Sequence, residues 1–172
     1  KTAKPTKKIP PFRRKFAKEV KAINNILAKR NAMLLPTAAH PFMDPFTETV
    51  IWPHEYNEVY ALYNRIFDCR GHGWSNLQST HLNLPFNGDE EFAKLHAAIR
   101  LILPLLPGLC ASSPILDGQP SGMLDTRLKF YKSNQSKIPV ITGKIIPEEV
   151  YSYIDYTRKI YHPIAKEIAI HD

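Results

Sequence analysis

The sequence predicts an α+β fold, and three observations lead to it. Four segments repeat apolar residues at helical spacing, one ten-residue stretch alternates with period two, and Pro/Gly-rich connectors separate them. The expected arrangement is a small antiparallel sheet with a Leu77 to Phe86 strand at its centre. Helices over residues 13–30, 54–68, 89–103 and 148–168 are expected to cover the apolar face of that sheet. A chain of 172 residues is long enough for one domain with a real core, at roughly 100 to 200 residues per domain.

Taken in order, residues 1–11 hold Pro5, Pro10 and Pro11 and predict an extended, flexible basic arm. The α+β domain then runs from residue 12 to 172. Phe12, Phe16, Val20, Ile23 and Leu27 share one helical face, with Lys and Arg residues opposite, and the helix should end near Asn31. Ala32 to Pro36 reads as a short strand entering a Thr37-Ala38-Ala39-His40-Pro41-Phe42 turn. Residues 43–53 are turn-rich. Tyr56, Tyr60, Tyr63 and Phe67, flanked by Val59, Leu62 and Ile66, form a broad stripe expected in the core.

In the stretch 77–86, period two places Gln78, Thr80, Leu82, Leu84 and Phe86 on one face and Ser79, His81 and Asn83 on the other. Asn87-Gly88-Asp89 is a turn in which Asp89 is expected to cap the next helix, assisted by Glu90 and Glu91. Phe92, Leu95, Ile99, Ile102 and Leu106 mark the buried face, Arg100 faces solvent, and Pro104 ends or kinks the helix. Leu109 to Leu128 is a loop of hydroxyl residues, glycines and prolines closed by Asp125 and Arg127, the kind of segment that carries function on a rigid scaffold. Pro147, Glu148 and Glu149 suit the first turn of the last helix, with Pro163 as a kink.

Composition narrows the classes. Hydrophobic residues at 44% and charged residues at 23% fit a soluble globular protein, and no uninterrupted apolar run approaches the roughly 18 residues of a membrane span. No signal peptide is expected, because the basic start is not followed by an apolar segment. Cys69 and Cys110, far apart and without a metal-ligand spacing, suggest a reducing, cytoplasmic setting. The net charge of +7 is concentrated near the start of the chain, and no helix-turn-helix, zinc-finger or aromatic RNA-binding signature accompanies it. An arm docking to nucleic acid or an acidic partner is therefore the weakest of the readings considered.

Four ordered blocks carry a resemblance. They are Thr37-Ala38-Ala39-His40-Pro41-Phe42, Gln78-Ser79-Thr80-His81-Leu82-Asn83-Leu84-Pro85-Phe86, Ala98 to Pro107, and Ala111-Ser112-Ser113-Pro114 followed by Asp117-Gly118, Gly122 and Asp125-Thr126-Arg127. Together they resemble glutamate-cysteine ligase family 2 and related ATP-dependent carboxylate-amine ligases.

The resemblance implies part of a glutamine-synthetase-like cradle and a reaction joining glutamate, or a similar amino acid, to an amine such as cysteine through an acyl phosphate. ATP and Mg2+ are the implied cofactors, and small molecules (amino acid, amine, ATP) the partners; a homo-oligomer is compatible. Arg127 and His81 are the implied catalytic residues, and His81 the implied metal ligand. Asn83, Ser112, Ser113, Asp125, Arg127 and His40 are implied to contact substrate or nucleotide, Arg127 through its fork and Asp125 by holding that fork in place. Many relatives read His-x-His where this chain has His81 and Asn83, which weakens the metal reading there. No Glu-x-Glu occurs in the sequence. The expectation is therefore the central part of a longer catalytic domain, inactive alone, with a non-catalytic ligand- or partner-binding relative as the alternative.

Overall fold

The computed structural model describes residues 5–144 and 146–171; residues 1–4 of the expected arm lie outside that range. The chain forms two compact units, Lys1–Pro36 and Thr37–Asp172. The α+β class holds, with helix occupying about 52% of the chain and, among the described residues, one two-stranded antiparallel sheet.

The first unit is built on α1 (Ile9–Ala28). The helix begins earlier than the proline content suggests, because Pro10 and Pro11 fall in its first turn, where the missing N–H groups would have no intrahelical acceptor in any case. It ends at Ala28, three residues before the expected Asn31, which lies in the following turn in the left-handed conformation with φ 50°. Ala32 N–H then donates to Leu27 O at 3.1 Å and Asn31 N–H to Ala28 O at 3.2 Å, closing the last turn. Residues 32–36 are not a strand. The Leu34 N–H is taken by the Asn24 Oδ1 of α1 at 2.8 Å instead of by a neighbouring strand.

The second unit opens with α2 (Pro45–Glu48), capped by Asp44, whose Oδ1 accepts the Phe46 N–H at 3.0 Å while Glu48 Oε1 accepts the Asp44 N–H at 2.7 Å. The Thr47 hydroxyl and the Phe46 N–H hold the Asp44 carboxyl below the usual range. α3 (Asn57–Phe67) follows between two left-handed residues, Tyr56 and Asp68. Its aromatic stripe is not core as expected. Phe67 is buried against Trp74, with ring centroids 5.7 Å apart, whereas Tyr56, Val59, Tyr60 and Tyr63 are exposed.

The expected central strand is absent. Leu77 makes one isolated antiparallel bridge with Ala39, and residues 78–87 have no regular structure. A strand exists through its ladder, and beyond that one bridge no ladder pairing is made along this stretch among the described residues, so alternation alone does not form one. Leu82, Leu84 and Phe86 are exposed, as are His81 and Asn83. The sheet lies in the signature loop instead: β1 (Ile115–Leu116) pairs with β2 (Gln119–Pro120) around Asp117-Gly118, with φ 51° and 73°. Asp-Gly with both residues at positive φ matches the tight hairpin turn whose twist suits antiparallel strands. Apart from half-buried Leu116, the hairpin is exposed and is not a covered centre.

α4 (Gly88–Ile102) starts one residue early, and Asn87 is its N-cap. Asp89 is not the cap; its Oδ1 accepts the Tyr153 N–H at 2.9 Å and ties α4 to the C-terminal segment. Pro104 converts the helix to a 3-10 turn at Leu103–Leu105, after which α5 (Leu106–Cys110) continues. The combined stretch Gly88–Cys110 is long and apolar enough, by length and composition, to cross a membrane, a property that counting consecutive apolar residues passes over. Arg100 is not simply solvated, since its Nε donates to Pro147 O at 2.9 Å and Glu149 lies 4.0 Å away.

α6 (Thr126–Tyr131) and α7 (Pro139–Thr142) come next. The last helix does not begin at Pro147. Ser152 caps α8 (Tyr153–Tyr156), and a π-helical turn, Thr157–Tyr161, joins it to α9 (His162–His171). The wide turn lies immediately before Pro163, whose ring excludes the normal bond to the preceding turn.

Two side-chain clusters follow from this packing. In one, His96 of α4 is buried between Phe92 and Tyr156, and among the described residues its Nε2 has no hydrogen-bond partner. Burial, reinforced by the Arg100 charge, pushes its pKa below the ordinary 6.5, so the folded protein holds the neutral imidazole. The unfolded chain therefore binds more protons as pH falls through 6.5, and folding stability contributed by this site falls with it. The prediction is that His96→Phe flattens the loss of stability between pH 7 and 5 in urea titrations, relative to wild type; identical slopes would refute it.

In the other, Gly73 has φ +86° and is clamped by Asn76 Oδ1 on its N–H and Asn134 Nδ2 on its carbonyl. A Cβ there would lie 2.5 Å from Asn134 Nδ2 and 2.7 Å from Phe130 Cβ. Gly73→Ala is expected to cost about 2 to 3 kcal/mol of unfolding free energy, and a loss below half that in urea unfolding would show the site to be pliable.

Candidate functional site

Three of the four sequence blocks meet around residues 37–41. Ala38 N–H donates to Ser112 O at 3.0 Å, His40 N–H to Asn76 O at 2.7 Å, and Gln78 N–H to Ala38 O at 3.0 Å. On the far side Gly118 N–H donates to Pro41 O at 2.8 Å. The Thr37–Pro41 segment is thus held between the Asn76–Gln78 segment and the signature loop by backbone bonds, which depend on conformation and not on side-chain identity.

Within that loop Ser113 is fully buried and all its polar atoms are engaged. Its N–H donates to Leu124 O at 2.9 Å, and its carbonyl accepts from Thr126 N–H at 3.3 Å. Its hydroxyl donates to Asp125 Oδ1 at 3.3 Å and accepts from Arg127 N–H at 3.1 Å. Ser113 is therefore a knot in the scaffold, and Asp125 braces this serine instead of the arginine. Ser121 pins the other half of the loop, with its hydroxyl bonded to Pro114 O, Met123 O and the Thr126 hydroxyl.

Arg127 reaches outward from the first turn of α6. Its Nη2 donates to Ser79 Oγ at 2.7 Å and its Nη1 to Gln78 O at 3.4 Å. The guanidinium lines a cavity of about 250 Å3 together with Trp74, Leu77, Ser79, Tyr131 and Gln135. None of the ion pairs among the described residues involves Arg127. A planar cation held on one edge by neutral acceptors keeps donors for a carboxylate or phosphate.

The other expected residues are less convergent. The loop does fold onto residues 78–79, but His81 and Asn83, a few residues further on, are exposed and do not line the cavity. His40 is exposed, and its Nδ1 accepts the N–H groups of Phe42 and Met43 at 3.2 and 2.9 Å, which leaves Nε2 as its outward atom. Ser112 is half-buried and contributes its carbonyl to the Ala38 contact. Among the described residues no group of three or more His, Cys, Asp or Glu side chains converges, and no Asp or Glu lines the Arg127 cavity, so the side chains gathered there do not offer the carboxylate oxygens that magnesium takes.

Sequence reasoning missed His72. It sits between Phe46 and Phe130, with ring centroids 5.5 and 5.0 Å away, and its Nε2 lies 3.3 Å from Asp117 Oδ2 at the hairpin tip. Its Nδ1 is 3.0 Å from Asn76 Nδ2. It borders a second cavity, of about 310 Å3, lined also by Phe67, Trp74 and Lys137. A histidine flanked by two glycines, paired with the acid of the Asp-Gly turn, was the available signal.

Because Ser113 holds Arg127 through the α6 backbone, Ser113→Ala leaves Asp125 without its donor and the Arg127 N–H unpaired. The expected outcome is a loss of about 1 to 3 kcal/mol in chemical unfolding, together with faster amide exchange at Arg127 than at Lys129. A variant as stable as wild type would remove the knot from this account.

The comparisons with known proteins bear on this geometry. Residues 1–167 match the family described as glutamate-cysteine ligase family 2. An uncharacterized protein of Archaeoglobus fulgidus is 33% identical over 168 residues, covering 98% of this chain and 45% of that protein, so the chain spans less than half the length of the relative. No solved structure matches the chain. With residues 1–167 matched, nearly its whole length, the chain belongs to glutamate-cysteine ligase family 2.

Proposed function

We propose that the polypeptide containing this chain is a cytoplasmic ATP- and Mg2+-dependent carboxylate-amine ligase that activates glutamate or a similar amino acid and joins it to an amine such as cysteine. The observation that supports this best is Arg127. Two neutral acceptors from the second block orient its guanidinium in a cavity, and no acid among the described residues neutralises it. In such a reaction the substrate carboxylate takes the terminal phosphoryl group of ATP, releasing ADP, and the amine then displaces phosphate to form the amide. The charge that develops on the transferred phosphoryl and on the carboxylate is what a fixed guanidinium stabilises.

The chain's own contribution is to bind and orient. Arg127 grips an anionic group, Ser79 and the Gln78 carbonyl keep its plane fixed, and Tyr131 and Trp74 line the same cavity. Magnesium would need carboxylate ligands beyond those gathered among the described residues, so no step is assigned to it from these side chains. A binding relative that holds an amino acid without turning it over is the second reading; the exposed placement of His81 and Asn83, away from the Arg127 cavity, favours it.

The test is ADP release by the full polypeptide with glutamate and a panel of amines that includes cysteine. Under the ligase reading, Arg127→Lys leaves the melting temperature unchanged and lowers turnover by about two orders of magnitude, because lysine keeps the charge and loses the fork. Wild-type turnover in that variant would remove Arg127 from the site. Amino-acid binding without ADP release from wild type would select the second reading.

A further inference from the structure

The second unit displays an unusual amount of apolar side chain. Along α3, Tyr56, Val59, Tyr60 and Tyr63 are 75, 52, 50 and 42% exposed, and at the end of α4 and beyond it Leu101, Leu105 and Leu109 are 78, 61 and 76% exposed. Leu82 in the irregular stretch adds 67%. The α3 stripe is one whose spacing predicts a buried face, whereas Leu101, Leu105 and Leu109 lie off the α4 face expected to be buried; the buried hydrophobic residues of the described chain are few: Ala39, Phe67, Phe92, Ile138 and Val150. Large apolar side chains left exposed on successive helical turns mark contact surfaces.

We propose that the α3 face and the Leu101–Leu109 face are docking surfaces for the polypeptide equivalent to the part of the Archaeoglobus relative that lies outside the 168 matched residues. The relative carries counterparts of 98% of this chain inside a protein more than twice as long, so there the same segments belong to a chain with a further body of polypeptide. A lipid surface is a poorer occupant. The Gly88–Cys110 stretch has the length for it, but Pro104 and Pro107 interrupt it, Arg100 is bonded to Pro147 O, and Phe92 and His96 pack against Tyr156. The reading is independent of ligase activity, because its test measures surface and assembly and not turnover.

The experiment compares the isolated chain with a chimera in which these residues replace the matched region of the Archaeoglobus protein. Fluorescence of the apolar dye ANS, light scattering after size exclusion, and hydrogen exchange along α3 are read on both. The isolated chain should bind ANS strongly. In the chimera ANS signal per chain should fall at least fivefold and α3 exchange should slow at least tenfold. Tyr60→Asp with Leu105→Asp should abolish that protection in the chimera and leave the circular dichroism of the isolated chain unchanged. Should the chimera fail to fold, exchange in the aligned helix of the Archaeoglobus protein itself supplies the comparison, slow if the proposal holds and as fast as in the isolated chain if not. A discrete dimer of the isolated chain with protected α3, co-sedimentation with phosphatidylglycerol vesicles, or an ANS-silent monomer would each overturn it, in favour of self-association, lipid or no occupant respectively.

Discussion

The engagement of Ser113 is the constraint on which the rest of the site depends. A buried hydroxyl with its own backbone donor and acceptor occupied fixes three neighbours at once: Leu124 and Thr126 through the main chain, and Asp125 through its carboxylate. A buried polar group left unpaired costs far more than a paired one contributes, so the loop has one low-energy way to close. That closure sets where α6 begins, and therefore the direction in which Arg127 leaves the backbone. The same loop supplies Ser112 O to Ala38 and Gly118 N–H to Pro41, which places the first block against the fourth without any side-chain match.

Helices were readable from the sequence because their signals are local. The α1 stripe, the α4 stripe with its acidic first turn, and the break at Pro104 each depend on residues within a few turns of one another. The sheet was misplaced for the opposite reason. Alternation in Leu77 to Phe86 describes a face but not a partner, whereas Asp117-Gly118 specifies a turn through backbone conformation alone. The Asp-Gly pair was visible, and the weight given to period two hid it.

The site was legible in part. That the Ser112–Arg127 loop would approach the second block followed from the family resemblance, and Arg127 does meet Gln78 and Ser79. The partner of Asp125 was misjudged, since two residues close in sequence and opposite in charge suggest an ion pair, while the helix start turns Arg127 away and leaves Asp125 facing Ser113. His72 escaped notice because its meaning depends on Asp117 and Asn76, a contact that no periodicity encodes. The Tyr56–Tyr63 stripe was expected in the core and is exposed, because apolar periodicity describes a face of the helix and not what covers it.

The bond from Gly118 to Pro41 has a kinetic consequence. Its two ends are far apart along the chain, with α2, α3, α4 and α5 between them, so closing that contact requires ordering a long loop before any of the nearby pairings can reward it. Helices that form from local contacts have no such requirement. The cradle that holds Arg127 is thus expected to assemble after α3 and α4, whose contacts are local. Interactions made there slow escape from the native state more than they hasten arrival, so the lifetime of the assembled pocket, and not the speed of folding, is what the Ser113 and Gly118 contacts govern.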